Sequence, residues 1–172
     1  MPDDLDLVDR LLADWARERP DLDASPMAVV GRLIALGQAL TARANTALKP
    51  MDLSYSDLDV LATLRRSGPP FRLTPTALRR SVLLTSGAMT ACLNRLETRG
   101  LVSREADPDD RRVLAATLTS AGQALADQAI GPRFSEASQV LAPLTGDERA
   151  RLAELLRKLC LSISAPPDQA PS

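Results

Sequence analysis

Thr85, Ser86, Gly87, Ala88 and Thr90 open a stretch that reads as a helix over residues 85–99. The hydroxyls among them can donate to or accept from a base edge, and the small side chains let a backbone approach one closely. The N-terminus of such a helix also favours a phosphate. Arg95 and Arg99, further along, have the reach and charge to hold backbone phosphates, which adds affinity without sequence information. A second group, Asp110, Arg111 and Arg112, falls at the tip of a predicted hairpin. Asp110 and Arg112 are two apart, so they share a face of an extended chain, where the carboxylate can orient the guanidinium. An arginine presented this way suits the minor groove, whose negative potential is greatest where A·T-rich sequence narrows it. This is hydrogen-bonding and ion-pairing chemistry, and it points to double-stranded DNA.

Bond-making chemistry finds little support. The chain has no histidine, and its two cysteines, Cys92 and Cys160, are far apart in helical patterns. No metal-ligand cluster, glycine-rich phosphate loop or nucleophile–base pair is visible. The reading is therefore not an enzyme, with no cofactor and no metal. Net charge is −1 overall, but it is unevenly placed. Residues 1–23 carry a net of −5, whereas residues 72–112 hold eight arginines against five acids, a local net of +3. A basic segment inside a near-neutral chain is what a DNA-binding module needs. The acidic start MPDDLDLVDR does not read as a signal peptide, and no run approaches the roughly 20 apolar residues of a membrane span. A soluble, cytoplasmic protein with no membrane partner is expected.

The elements that must position these residues are mostly helical, since Ala and Leu dominate and aromatics make up only 2%. Helices are predicted over 3–18, 26–48, 54–66, 75–80 and 85–99. Ser54 with Asp57 forms a capping-box pattern, Thr74-Pro75 marks a sharp helix start, and Gly100 ends the fifth helix. Strands follow at 101–105 and 113–118 around the polar turn Asp107-Pro108-Asp109-Asp110. Thr119 or Ser120 caps a helix to about residue 142 with a kink expected at Gly131-Pro132, and Thr145 with Glu148 opens a last helix over 147–163. The fold class is mainly α: a winged helix-turn-helix with a two-stranded wing and dimerisation helices at both ends. The divisions are 1–50 (N-terminal helices), 51–118 (DNA-binding domain), 119–163 (C-terminal helices) and 164–172 (a disordered tail).

SDLDVLATLRRSG and LTPTALRRSVLLTSGAMTACLNRLETRGLVSREADPDDRRVLAATLTSAGQAL resemble the MarR (multiple antibiotic resistance regulator) family, over about residues 26–160. DPDDRR followed by Leu118-Thr119 is the specific part. The resemblance implies a homodimer with intertwined N- and C-terminal helices, a palindromic operator, repression, and release by a small molecule or redox signal. Residues 1–23 also look like the urate-responsive branch, with its extra N-terminal helix. That branch's ligand set falls on Trp15, Asp59 and Arg104, while its remaining arginine falls at Cys92, leaving an anionic purine one cation short. A small anionic or aromatic effector, such as an aromatic or purine acid, is the implied partner.

Each candidate has a plainer alternative. Trp15 can anchor the first helix to the core instead of lining a pocket, and Asp59 can be a surface carboxylate near Thr63 and Arg66. Cys92 reads as a small buried residue, with a sensor thiol as the alternative; Cys160 reads as core. A thiol-responsive regulator and a winged-helix adapter without DNA contact are the competing functions.

Overall fold

The structure, a computed structural model, describes residues 5–82, 86–106 and 112–164. Among the described residues, seven α-helices and three strands follow in the order α1 (Leu7–Glu18), α2 (Met27–Leu48), α3 (Tyr55–Arg66), β1 (Arg72–Leu73), α4 (Pro75–Ser81), α5 (Ser86–Thr98), β2 (Val102–Ala106), β3 (Leu114–Leu118), α6 (Ser120–Val140) and α7 (Gly146–Ser164), with a 3-10 turn at Lys49–Met51 after α2. The chain divides into two compact units, Met1–Ile130 and Gly131–Ser172, and α6 runs through the boundary.

Local chemistry explains most of the boundaries. Asp6 caps α1 and exchanges hydrogen bonds with Asp9; Ser54 and Asp57 do the same for α3. Thr74 accepts from the Ala77 amide and Pro75 occupies the first turn of α4. At the end of α5, Gly100 takes a left-handed φ of 67°. Its N–H donates to the Glu97 carbonyl and that of Leu101 to the Leu96 carbonyl, a Schellman closure that only a residue tolerant of positive φ permits cheaply. Thr119 caps α6 by accepting from Gly122 N–H.

The first unit is built around Leu48, Val60, Leu61, Leu64, Leu78 and Leu96, all but sealed from solvent. Helix α3 crosses the centre and touches α2, α4, α5 and β3. Strand order is β1-β3-β2, all antiparallel, with Arg72 opposite Thr117 and Thr117 opposite Ser103. The sheet therefore has three strands, one more than the two-stranded wing expected from sequence. β1 is only two residues long, too short to show the alternation that marks a strand.

Two other expectations are corrected. Cys160 is exposed in this chain and not part of a core. Trp15 does not anchor α1: it is 52% exposed, and Val8 is the residue that α1 buries, against Gly31 of α2. Arg32 of α2 completes that junction with ion pairs to Asp6 and Asp9 at 2.8 and 2.6 Å. The expected kink proline, Pro132, lies inside the continuous helix α6.

Candidate DNA-binding surface

Helix α5 sorts its residues by face with helical period. Met89, Cys92, Leu93 and Leu96 are buried, while Gly87, Ala88, Thr90 and Asn94 are exposed. A Cβ built on Gly87 would meet nothing within 4 Å, so the glycine serves no packing need and leaves the surface low. The N-terminal half of α5 thus presents a face of small side chains and a hydroxyl. Thr85 lies outside the described residues, as do Asp110 and Arg111; of Ser86 only the backbone is described.

Arg95 and Arg99 are placed differently from the free phosphate ligands that their spacing suggests. Arg95 donates to Asp57 Oδ1 from Nε at 3.0 Å and Nη2 at 2.6 Å. Arg99 donates to the backbone carbonyls of Asp52 and Met51. The Arg95 guanidinium is tied to α3, and that of Arg99 to the segment that joins α2 to α3. Their partners lie 38 and 47 residues back, beyond the reach of any local pattern.

Asp57 is the charged residue that sequence reasoning missed. It was legible as the third residue of a capping box, and the same carboxylate is also 2% exposed in the core. Burial pushes its carboxyl up. Hydrogen bonds from Arg95, from the Ser54 hydroxyl and amide, and from the Cys92 thiol outweigh that and hold it below its ordinary value. Cys92 Sγ sits 3.4 Å from both Asp57 Oδ1 and the Ser56 carbonyl. Burial, then the Asp57 charge and hydrogen bond, push the Cys92 thiol up to about 12. Such a thiol stays protonated at neutral pH. In a Cys160→Ser background, Cys92 is expected to resist a disulfide reagent at pH 8 until denaturant is added; rapid native labelling would restore the sensor reading.

Helix α4 presents Arg79 and Arg80 outward, and its end is pinned where Thr63 and Arg66 both donate to the Ser81 carbonyl. These two arginines belong to the basic segment 72–112, and their place on the first helix of the pair is what marks them. Arg112 is exposed, two residues before β3. Arg104, on β2, packs on α5 and donates to Asn94 Oδ1 at 2.6 Å.

The three effector candidates sit on three elements. Trp15 is on α1, Asp59 is half-buried on α3, and Arg104 is on β2. A cleft of about 510 Å³ opens elsewhere, between Asn45, Lys49, Asp52, Asp57, Arg95 and Arg99. None of the three lines it.

A helix pair followed by a strand hairpin, with the second helix exposed at its N-terminal half, defines a winged helix-turn-helix protein. Residues 51–113 match the MarR family model. The transcriptional regulator PecS of Dickeya dadantii is 30% identical over 152 residues, 88% of this chain and 92% of PecS. A mutant of Escherichia coli MarR, solved in complex with operator DNA, superimposes with a TM-score of 0.69 at 30% identity, covering 80% of this chain and 99% of that one. Sco3205, a MarR family regulator from Streptomyces coelicolor solved with DNA, shares the fold with a TM-score of 0.75 at 24% identity, over 87% of this chain and 97% of that one. The chain belongs to the MarR family of transcriptional regulators, whose members here are regulators and not enzymes. Among the described residues, no helix is long and apolar enough to cross a membrane.

Proposed function

We propose that the protein represses transcription by binding a palindromic operator as a homodimer, with the N-terminal half of α5 in the major groove and the wing in the minor groove. The observation that carries this is the exposed, small-residue face of α5 around Gly87, Ala88 and Thr90, set beside the antiparallel wing. Thr85 and Ser86 belong to the same reading surface by sequence, and Asp110, Arg111 and Arg112 to the wing tip. Arg79 and Arg80 take the phosphate role on α4, because Arg95 and Arg99 are held by α3 and the connection before it.

The dimer is supported by apolar side chains that the single chain leaves in water. Val30, Leu33 and Ile34 on α2 and Leu152, Leu155 and Leu159 on α7 are each more than a third exposed. Two copies would bury such faces against each other, as a family of closed dimers does.

Gel shifts on a duplex selected from random sequence test the reading. Binding should weaken steeply with salt, and Arg79→Gln should reduce the slope of log K against log salt by about 1.8, two guanidiniums per dimer at about 0.9 each. Arg112→Ala should weaken binding, and Ser86→Ala should change sequence preference. If the wild type selects no duplex even at low salt, the adapter reading wins.

Release is assigned to a small anionic or aromatic effector, such as an aromatic or purine acid. The resemblance names Trp15, Asp59 and Arg104 for it; the cleft lined by Lys49, Arg95 and Arg99 also carries Asp52 and Asp57, the latter the partner of Arg95. A thiol signal at Cys92 fits poorly with a buried, protonated sulfur. A thermal-shift screen of such acids, on wild type and Trp15→Ala, separates effector sites from bystanders.

A further inference from the structure

We propose that Arg104 and Arg72 are positioning residues for DNA binding, clamping the wing to the recognition helix on one face and to β1 on the other. This rests on the DNA-binding reading above.

The wing needs such a clamp. Its root is held by the buried side chains of Val102, Ala116 and Leu118, whereas Glu105, Ala106 and Leu114, further out, are exposed. Two strands alone set no firm orientation in water. Successive residues of a strand point to opposite faces, so Arg104 and Glu105 leave β2 on opposite sides. On one side, Arg104 Nη2 donates to Asn94 Oδ1 at 2.6 Å, and its Nε lies 3.4 Å from Glu97 Oε2. Asn94 and Glu97 are one turn apart on α5, and Asn94 is one turn beyond Thr90, so the clamp grips the reading helix next to its reading face. On the other side, Arg72 donates from Nη2 to Glu105 Oε2 at 2.8 Å and from Nε to Thr117 Oγ1 at 3.0 Å. Since Arg72 pairs with Thr117 and Thr117 with Ser103, this guanidinium spans the whole sheet and reaches two residues outward. β1 runs straight into Thr74, the cap of α4. The two arginines link recognition helix, wing and first helix at the level where core packing ends.

Half-exposed ion pairs of this kind add little to stability. Their consequence is geometric. The wing gains from its tether to a docked recognition helix only if it is held where the minor groove lies, because effective concentration collapses when the geometry is wrong.

The test uses the full-length protein and the duplex that the wild type selects. Arg104→Gln, Arg72→Gln and Asn94→Ala, which removes the acceptor and keeps the cation, should each weaken binding by about tenfold. The salt slope should fall to the same extent in all three, including Asn94→Ala, which removes no charge, because each loses the wing's contacts. Hydroxyl-radical protection of the minor groove should disappear while methylation protection in the major groove remains, which mere loss of stability would not produce. Arg104→Gln combined with Asn94→Ala should be no worse than either alone. A slope reduced by about 1.8 in Arg104→Gln, with Asn94→Ala binding as wild type, would make Arg104 a direct phosphate contact and overturn the proposal. So would wild-type binding by all three variants. If the wild type selects no duplex, the DNA-binding reading falls and takes this inference with it.

Discussion

Replacing Gly122 with alanine is expected to destabilise the protein by at least about 3 kcal/mol, the upper end of what overpacking costs. Gly122 sits in the first turn of α6, where a Cβ would lie 1.9 Å from the Leu101 carbonyl oxygen and 2.9 Å from its carbon. The obstacle is backbone and cannot rotate away. That carbonyl is also engaged: it accepts from the Thr119 amide and hydroxyl, each at 3.2 Å. Making room would shift the joint between α5 and β2 and break the cap on α6 together. For a chain of this length the loss corresponds to a fall in Tm of about 6–12 °C, measured at fixed protein concentration because the assembly is proposed to dimerise. Gly146→Ala is the matched control, since its Cβ meets nothing within 4 Å. DNA affinity should fall in Gly122→Ala at temperatures where it is still folded, because Leu101 is where recognition helix passes into wing. An unchanged Tm would mean that the α6 start yields more easily than its packing indicates.

Gly122 also illustrates what the sequence did and did not reveal. Local signals were readable because each is complete within a few residues: Ser54 with Asp57, Thr74-Pro75, Gly100, and Thr145 with Glu148 all lie at helix ends as expected. β2 and β3 pair antiparallel as the hairpin reading expects, while the polar turn that marks it in the sequence, residues 107–110, lies outside the described residues. Gly122 gave no such signal. Its requirement comes from a carbonyl 21 residues back, and a glycine inside a helical pattern looks only like a weak helix former. β1 was missed because two residues carry no period. Val30, Leu33 and Ile34 recur at helical spacing along α2, but the single chain leaves them exposed. Trp15 could have anchored α1 to the core, yet Val8 does the packing, because Gly31 opposite it admits close approach. Arg95 and Arg99 had the right charge for phosphate. What could not be read was that an acid and two carbonyls far back in the chain would claim them first.

Asp57→Ala is the second large effect, expected to cost about 2–4 kcal/mol. The substitution removes the acceptor for Arg95, for the Ser54 amide and hydroxyl, and for the Cys92 thiol. The Arg95 side chain is 46% exposed, so water takes up part of its charge, which keeps the cost below that of a fully buried orphan. Asp57→Asn keeps one oxygen acceptor and loses the charge, so its cost should be smaller. The pH dependence identifies the carboxylate as the cause. Its folded value lies below the ordinary 3.8, so its contribution is fully present above the unfolded value and is lost as pH falls through the folded one. Denaturant titrations should therefore show the gap between wild type and Asp57→Asn at its widest near pH 6 and narrowing as pH drops below about 4. Comparing the two proteins at each pH cancels the other carboxylates. A gap that stays constant down to about pH 2.5 would show that charge plays no part, leaving only the hydrogen bonds. The result also bears on DNA. Once Asp57 is gone, Arg95 is no longer held against α3, and a guanidinium released toward a phosphate would steepen the salt slope of binding. A slope identical to wild type would show that Arg95 stays out of DNA's reach even when freed, and that its task is to tie the recognition helix to the core.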